Sequence, residues 1–165
     1  MAHSVPQPVP EPVAVPTSAR LKIPRSVLVV IHTPDLQVLM MERSGWPGFW
    51  QSVTGSLDRE DEPWREAALR EVQEETGLDA ARYTLADWNL EQEFEIFVQH
   101  RHRYPGGVTR NLEHVFSLEL PEALPVTLSS EHSRYRWLPW RDAAGLTISW
   151  SNRDAILALE QRRSA

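Results

Sequence analysis

Three glutamates lie on one side of a predicted helix within the segment REVQEETGL, residues 70–78. At about 100° per residue, Glu71, Glu74 and Glu75 fall within roughly a third of the helix circumference. Arg70 precedes Glu74 by one helical turn, so it could orient that carboxylate through a charge-assisted hydrogen bond. Carboxylate oxygens gathered in this way could hold divalent metal ions against a polyphosphate.

The charge of the chain is concentrated around this helix. The formal net charge is −6, and residues 58–75 contain eight acidic residues and three arginines. An acidic balance disfavours a nucleic-acid-binding surface. On charge alone, a solvated acidic surface explains the cluster as well as a metal site does.

The 165 residues, 41% of them hydrophobic, predict one domain at residues 21–165. Residues 1–20 contain five prolines and no long apolar segment, which predicts a disordered, Pro-rich tail. A docking peptide is the alternative, although no Phe, Trp or Tyr anchor accompanies the prolines. The chain has no cysteine, which excludes disulfides and thiolate chemistry and fits a cytoplasmic location. No apolar run is long enough to span a bilayer, so we expect no membrane partner.

The strands and helices that the sequence predicts must position these carboxylates. Pro63 suits a first helical turn, Asp61 or Glu62 could cap it, and Gly77 supplies a left-handed stop. The predicted elements are strands at 26–33, 37–43 and 50–56, a helix at 62–76, a hairpin of 91–103 and 108–120, a strand at 135–138 and a helix at 151–163 with a serine cap. This order indicates an α/β (α+β) fold in which a mixed β-sheet is sandwiched between α-helices.

The sequence GSLDREDEPWREAALREVQEETGL, residues 55–78, resembles the Nudix box, a loop–helix–loop signature. Nudix enzymes hydrolyse a nucleoside diphosphate linked to another group, and the resemblance implies the Nudix fold. The helical half fits at every fixed position. The loop from Gly55 to Glu62 is one residue longer than the family pattern, a change that costs little free energy.

The resemblance also implies a set of metal ligands and catalytic residues. Mg²⁺, for which Mn²⁺ could substitute, would bind Glu71, Glu74 and Glu75 near the backbone carbonyl of Gly55. Arg70, Glu71 and Glu74 would be the catalytic residues, with Glu71 one candidate for the base that deprotonates water. Glu131, in a predicted loop, is a further candidate ligand; its alternative role is that of a surface glutamate.

Segments outside the box resemble one subfamily, the dihydroneopterin triphosphate diphosphatases of bacterial folate biosynthesis. These segments are SVLVVI (26–31), FWQSVTGS (49–56), EFEIF (93–97), RHRY (101–104), GVTRN (107–111) and SWSNR (149–153). They imply magnesium-dependent hydrolysis of 7,8-dihydroneopterin triphosphate to the monophosphate and diphosphate.

The segment EFEIF could bind a flat heterocycle. Glu95 could accept two hydrogen bonds from an aminopyrimidinone edge, and Phe94 or Phe97 could stack on the ring. Strand alternation predicts that Phe94 and Ile96 face one way and Glu95 and Phe97 the other, so that one pair lines the pocket and the other is core.

Four other polar residues are candidates for binding the rest of the substrate. Lys22, Arg43 and the Thr54 hydroxyl could reach the phosphates or the propyl hydroxyls, and Ser149 lies just before the last predicted helix. A solvated surface role is the alternative for Lys22 and Arg43, and a cross-strand contact is the alternative for Thr54.

Two other functions compete with this hypothesis. A house-cleaning pyrophosphohydrolase would act on modified nucleoside triphosphates, and a Nudix-like sensor would bind a nucleotide without cutting it. A sensor would be expected to lack metal-binding glutamates, whereas this helix has all three. We expect a small-molecule triphosphate as the partner, and a monomer or homodimer.

Overall fold

The computed structural model describes residues 20–163, so the tail predicted for residues 1–20 lies, except for Arg20, outside the described residues. Strands occur at β1 (Arg25–His32), β2 (Gln37–Arg43), β3 (Trp50–Gln51), β4 (Val53–Ser56), β5 (Thr84–Glu95), β6 (Arg110–Glu119) and β7 (His132–Pro139). Helices occur at α1 (Trp64–Thr76), α2 (Trp140–Leu146) and α3 (Trp150–Arg163), with 3₁₀ helices at Ala80–Arg82 and Val98–Arg103. None of these helices is both long and apolar enough to cross a membrane.

The described strands form one mixed sheet in the order β3-β2-β1-β6-β5, with β4 also paired to β1 and β7 to β2. Strands β1 and β6 run parallel, whereas the other pairs are antiparallel. Strand β2 follows β1 in the chain and pairs with it antiparallel only at His32↔Val38, whereas it pairs with β7 along its length.

Helices cover both faces of the sheet, which explains the continuous apolar run of β1. Val27 and Val29 belong to a core with residues of α1, and Leu28 and Val30 to a second core with residues of α2 and α3. Each fully buried aliphatic side chain contributes about 1.5–3 kcal/mol. The predicted mixed sheet between helices is confirmed.

Helix α1 ends as predicted and begins two residues later than predicted. Gly77 has φ 73°, and its N–H donates to the Gln73 carbonyl at 2.9 Å. At the other end Pro63 is the N-cap residue, and no side chain caps the helix. Glu62 does not cap the helix because Arg70 and the Asp58 N–H bind its carboxylate instead.

The third predicted strand is interrupted at Ser52. Its first part, β3, pairs with β2, and its second part, β4, pairs with β1. The Ser52 N–H donates to Asn152 Oδ1 at 2.8 Å, and Asn152 Nδ2 donates to Ser52 Oγ at 2.9 Å. Asn152 lies near the start of α3, where Ser149, rather than the predicted Ser151, accepts from a backbone N–H, that of Asn152.

The predicted hairpin is present, but its first strand is shifted toward the N-terminus. Strand β5 begins at Thr84 and ends at Glu95, and Phe94 pairs with Asn111 of β6. The chain then turns into the 3₁₀ helix Val98–Arg103 instead of continuing as a strand. The Arg103 carbonyl accepts from the Lys22 N–H at 2.7 Å, so this helix returns to the edge of the domain where β1 begins.

Candidate active site

Two adjoining cavities bring most of the predicted site residues together. The outer cleft is lined by Arg20, Leu21, Lys22, Ile23, Thr54, Gly55, Ser56, Leu57, Asp58, Arg59, Glu60, Arg70, Glu71, Glu74 and Glu131. The inner pocket is lined by Lys22, Ser26, Leu28, Arg43, Phe49, Gln51, Thr54, Gly55, Ser56, Glu75, Phe94, Ile96, Phe97, His100, Arg103, Tyr104, Asn111, Glu113, Glu131, Ser149 and Asn152. The residues common to both are Lys22, Thr54, Gly55, Ser56 and Glu131. An acidic region therefore adjoins a deeper, partly aromatic one.

Arg70 connects the helix to the loop that precedes it. Its guanidinium donates to both carboxylate oxygens of Glu62, at 2.9 and 3.1 Å, and to the Ser56 carbonyl at 3.1 Å. It also donates to Glu71 at 2.8 Å, whereas the predicted contact with exposed Glu74 is longer, 3.5 Å. The main partner of Arg70 is thus Glu62, and the pairing fixes the loop against the helix.

Replacing Arg70 with alanine should destabilise the fold by about 2–4 kcal/mol, because it leaves the buried Glu62 carboxylate without its cation. The hydrogen bond from Arg70 lowers the pKa of Glu62 below its ordinary 4.5. The stabilisation of the fold by the Arg70–Glu62 pair is therefore complete above pH 4.5. It is lost as the pH falls through the lowered pKa of Glu62. Urea denaturation from pH 3 to 7 measures the difference between variant and wild type.

Arg59→Ala is the matched control, since Arg59 pairs with Asp61 and Glu66 on an exposed surface. Such pairs contribute about 0–1 kcal/mol. If the two variants lost equal stability, Arg70 would have no special structural role.

Glu71 lies against the backbone of Gly55. A Cβ atom added to Gly55 would lie 2.0 Å from the Glu71 carboxyl carbon, so only glycine leaves this space for the carboxylate. Burial raises the pKa of Glu71 to about 7, while the charge and hydrogen bond of Arg70 oppose the rise. The Glu74 and Glu131 carboxylates raise it further, which indicates several negative charges around one buried group.

Glu75 is more deeply buried than Glu71 and lines the inner pocket. Its Oε2 atom accepts from the Thr54 N–H at 3.2 Å. Burial, then the charges of Glu71 and Glu131, raise its pKa well above the ordinary 4.5. Glu131 itself is exposed, and its carbonyl accepts from the Ser44 N–H at 2.8 Å, which ties its loop to the end of β2.

The carboxylates fit a divalent cation by their chemistry. Burial and mutual repulsion disfavour the ionised forms of Glu71 and Glu75, and a cation would oppose both effects. Within residues 20–163 no three Asp, Glu, His or Cys side chains already form a complete metal site. Mg²⁺ usually takes only one or two carboxylates and completes its shell with water and phosphate oxygens, so a complete protein cage is not required.

Cationic side chains gather beside the carboxylates. Burial, then the charge of Arg103, lower the pKa of Lys22, whereas Glu131 raises it. Arg43 has the same pattern: burial and Arg103 lower its pKa, and Glu131 and Glu75 raise it. Lys22, Arg43 and Arg103 all line the inner pocket, as does Glu131. Cationic side chains therefore lie beside carboxylates there, where a polyphosphate could be bound. Arg103 belongs to the segment RHRY, and it lies in the 3₁₀ helix Val98–Arg103 rather than in the predicted strand.

Phe94, Ile96 and Phe97 all line the inner pocket, but Glu95 does not. The predicted alternation holds for Phe94, Glu95 and Ile96. It is wrong for Phe97, because β5 ends at Glu95 and the chain turns, which places Phe97 on the pocket side. Glu95 is exposed and lines neither of the two cavities, so the structure does not support its predicted contact with a bound heterocycle. Phe97 lies edge-to-face with Phe49, at a centroid distance of 6.1 Å.

Some buried polar residues of the inner pocket were not predicted as site residues, among them Asn111 and Glu113. Asn111 and Glu113 are alternate residues of β6 and are 1% and 3% exposed. Polar residues at alternate positions of a strand that otherwise reads as buried were the available signal. The other predicted residues, Thr54 and Ser149, also line the inner pocket.

Comparisons with known proteins identify the family. A family model of the NUDIX domain matches residues 22–159. The chain is 51% identical to the dihydroneopterin triphosphate diphosphatase of Escherichia coli (strain K12) over 138 residues, which cover 82% of this chain and 91% of that protein. It is 41% identical to the Haemophilus influenzae protein of the same name over 136 residues, covering 80% and 84%.

A solved structure gives the same result. The structure of the E. coli dihydroneopterin triphosphate pyrophosphohydrolase matches with a TM-score of 0.77 at 51% identity, covering 82% of this chain and 93% of that one. The motif, the fold and the extent of these matches agree, and the chain belongs to the NUDIX domain family.

Proposed function

We propose that this protein hydrolyses dihydroneopterin triphosphate to dihydroneopterin monophosphate and diphosphate, with Mg²⁺ as the metal ion and Mn²⁺ as a substitute. The observation that carries the proposal is the continuity of the two cavities: an acidic cleft adjoins, through five shared residues, a pocket with aromatic and buried polar walls. The 51% identity to the E. coli enzyme supports the choice of substrate.

The acidic cleft would hold the reacting phosphates. Glu71, Glu74, Glu75 and Glu131 would bind the metal near Gly55, and the metal would neutralise phosphate charge and acidify water. Glu71 is held by Arg70 at 2.8 Å, so its carboxylate is oriented before substrate binds. Either Glu71 or Glu74 could accept the proton of the attacking water. Lys22, Arg43 and Arg103 would bind the remaining phosphate charge.

The inner pocket would hold the heterocycle. Phe94 and Phe97 offer faces or edges for stacking on a flat ring, and Ile96 closes the apolar wall. The hydroxyls of Thr54 and Ser149 lie in the same lining and could bind the propyl side chain. The order of groups in the substrate, a ring, a polar linker and a triphosphate, thus follows the order of the cavities.

A substrate panel tests the proposal. With Mg²⁺ present, kcat/KM for dihydroneopterin triphosphate should exceed that for each ordinary nucleoside triphosphate by at least about tenfold, because the inner pocket is proposed to bind the pterin ring and its propyl side chain in the transition state. Release of diphosphate and of the monophosphate would be measured together in ¹⁸O-labelled water, which also identifies the phosphorus attacked.

Each competing function predicts a different result in this panel. Equal or higher kcat/KM on modified nucleoside triphosphates would favour the house-cleaning enzyme and reject the pterin. Binding without diphosphate release from any substrate, with Mg²⁺ or Mn²⁺, would favour the sensor module.

A further inference from the structure

Two hydrogen-bond acceptors in the inner pocket have no partner among the described residues. They are Oε1 of Glu113 and Oδ1 of Asn111. Asn111 Nδ2 donates to Ser26 Oγ at 2.7 Å, which fixes the amide with its oxygen free. Because the two residues alternate along β6, their side chains lie on the same face of the sheet and line the same cavity.

A carboxylate in this position is costly without a ligand. Burial raises the pKa of Glu113 to about 7, and the hydrogen bond from Ser151 only opposes that rise. A buried acceptor that has lost water and gained no donor costs about 1–3 kcal/mol, and more for a charged group. The residues that pair with Glu113 on the neighbouring strands are Ser26 of β1 and Gln92 of β5. Neither is a cation that could form an ion pair with its carboxylate. An unpaired buried acid that faces a cavity indicates a binding role.

We propose that Glu113, assisted by Asn111, selects the substrate by accepting hydrogen bonds from adjacent N–H groups on the edge of its heterocycle. A 2-amino-4-oxopyrimidine ring presents a ring N–H beside an exocyclic amino group, and a carboxylate can accept from both in parallel, as it does from a guanidinium. The inference rests on the proposed function and names the residue that recognises the ring by hydrogen bonding. Glu113 takes the role that the sequence suggested for Glu95.

The other ligands of the cavity would not use this position. Phosphate oxygens are acceptors and would be repelled by two further acceptors, whereas Lys22, Arg43 and Arg103 lie beside Glu131. A metal ion is disfavoured because the residues paired with Glu113 on the neighbouring strands, Ser26 and Gln92, add no second carboxylate. A ring with two adjacent donors satisfies the acceptors without adding charge to the pocket.

Glu113→Gln tests the proposal with two nucleotides that differ only in the 2-amino group, GTP and ITP. In the wild type kcat/KM for GTP should exceed that for ITP by at least about tenfold, because ITP leaves an acceptor unpaired. In Glu113→Gln, which offers one acceptor instead of two, the ratio should fall to within about twofold of unity. Calorimetry with neopterin in the absence of metal gives a second readout, and the variant should bind at least about tenfold more weakly.

Glu95→Gln is the matched control, because it makes the same change at an exposed glutamate outside the pocket. It should keep the wild-type GTP/ITP ratio and neopterin affinity. If Glu113→Gln were folded by circular dichroism and kept both wild-type values, or if Glu95→Gln lost them instead, the inference would be overturned. Neither readout depends on whether the pterin is the preferred substrate, so failure here is distinct from failure of the substrate panel.

Discussion

Glu75→Gln is expected to lower kcat on dihydroneopterin triphosphate by at least about a hundredfold with Mg²⁺ present. The substitution removes the negative charge of a proposed metal ligand and keeps the size of the side chain. Its stability should be retained or increased, because burial and the charges of Glu71 and Glu131 already disfavour the ionised form of Glu75. Steady-state kinetics and thermal denaturation of the same preparation separate the two effects.

The control for this variant is Glu66→Gln, on the same helix. Glu66 is exposed and pairs only loosely with Arg59, at 3.5 Å. It should keep wild-type kcat and stability. A wild-type kcat in Glu75→Gln would remove Glu75 from the site, and a large loss of stability would mean that its charge supports the fold.

The catalytic helix could be predicted because its information is local. The spacing of the glutamates fixes their side of the helix, and the αL conformation at Gly77 follows from its residue type. The partner of Arg70 could not be predicted in this way. Helical spacing indicated Glu74, but the loop folds back and brings Glu62 to 2.9 Å, a contact that depends on tertiary structure.

The wall of the inner pocket shows where a period-2 pattern fails. Alternation assigned Glu95 and Phe97 to one side on the assumption that the strand continued through Arg103. The strand ends at Glu95, and the following 3₁₀ helix carries Arg103 to the carbonyl contact with Lys22. Glu113, in contrast, lies in a strand that was predicted. Its proposed role in substrate binding depends on a cavity whose lining comes from several elements of the fold, which no single strand pattern indicates.

Gly55→Ala is expected to lower kcat by about a hundredfold while leaving the fold intact. The added Cβ would lie 2.0 to 2.3 Å from the Glu71 carboxyl atoms, so the carboxylate must move. Gly55 does not have a positive φ, and the clash is with the end of a flexible side chain rather than with backbone, so the free energy of unfolding should change by less than about 1 kcal/mol. A displacement of about 1 Å at a reacting group can cost a hundredfold in rate.

Gly145→Ala separates this effect from the general cost of losing a glycine. Gly145 lies in α2, and its added Cβ would meet no atom within 4 Å, so the variant should keep full activity and gain up to about 1 kcal/mol of stability. If Gly55→Ala also kept full activity, the position of the Glu71 carboxylate would not limit the reaction. If its activity were lost and then restored in part by Glu71→Asp, which shortens the side chain by one methylene, the loss would be due to crowding between residues 55 and 71. That rescue would connect the glycine of the motif to its first glutamate through a steric contact and would assign Gly55 a role in placing the carboxylate.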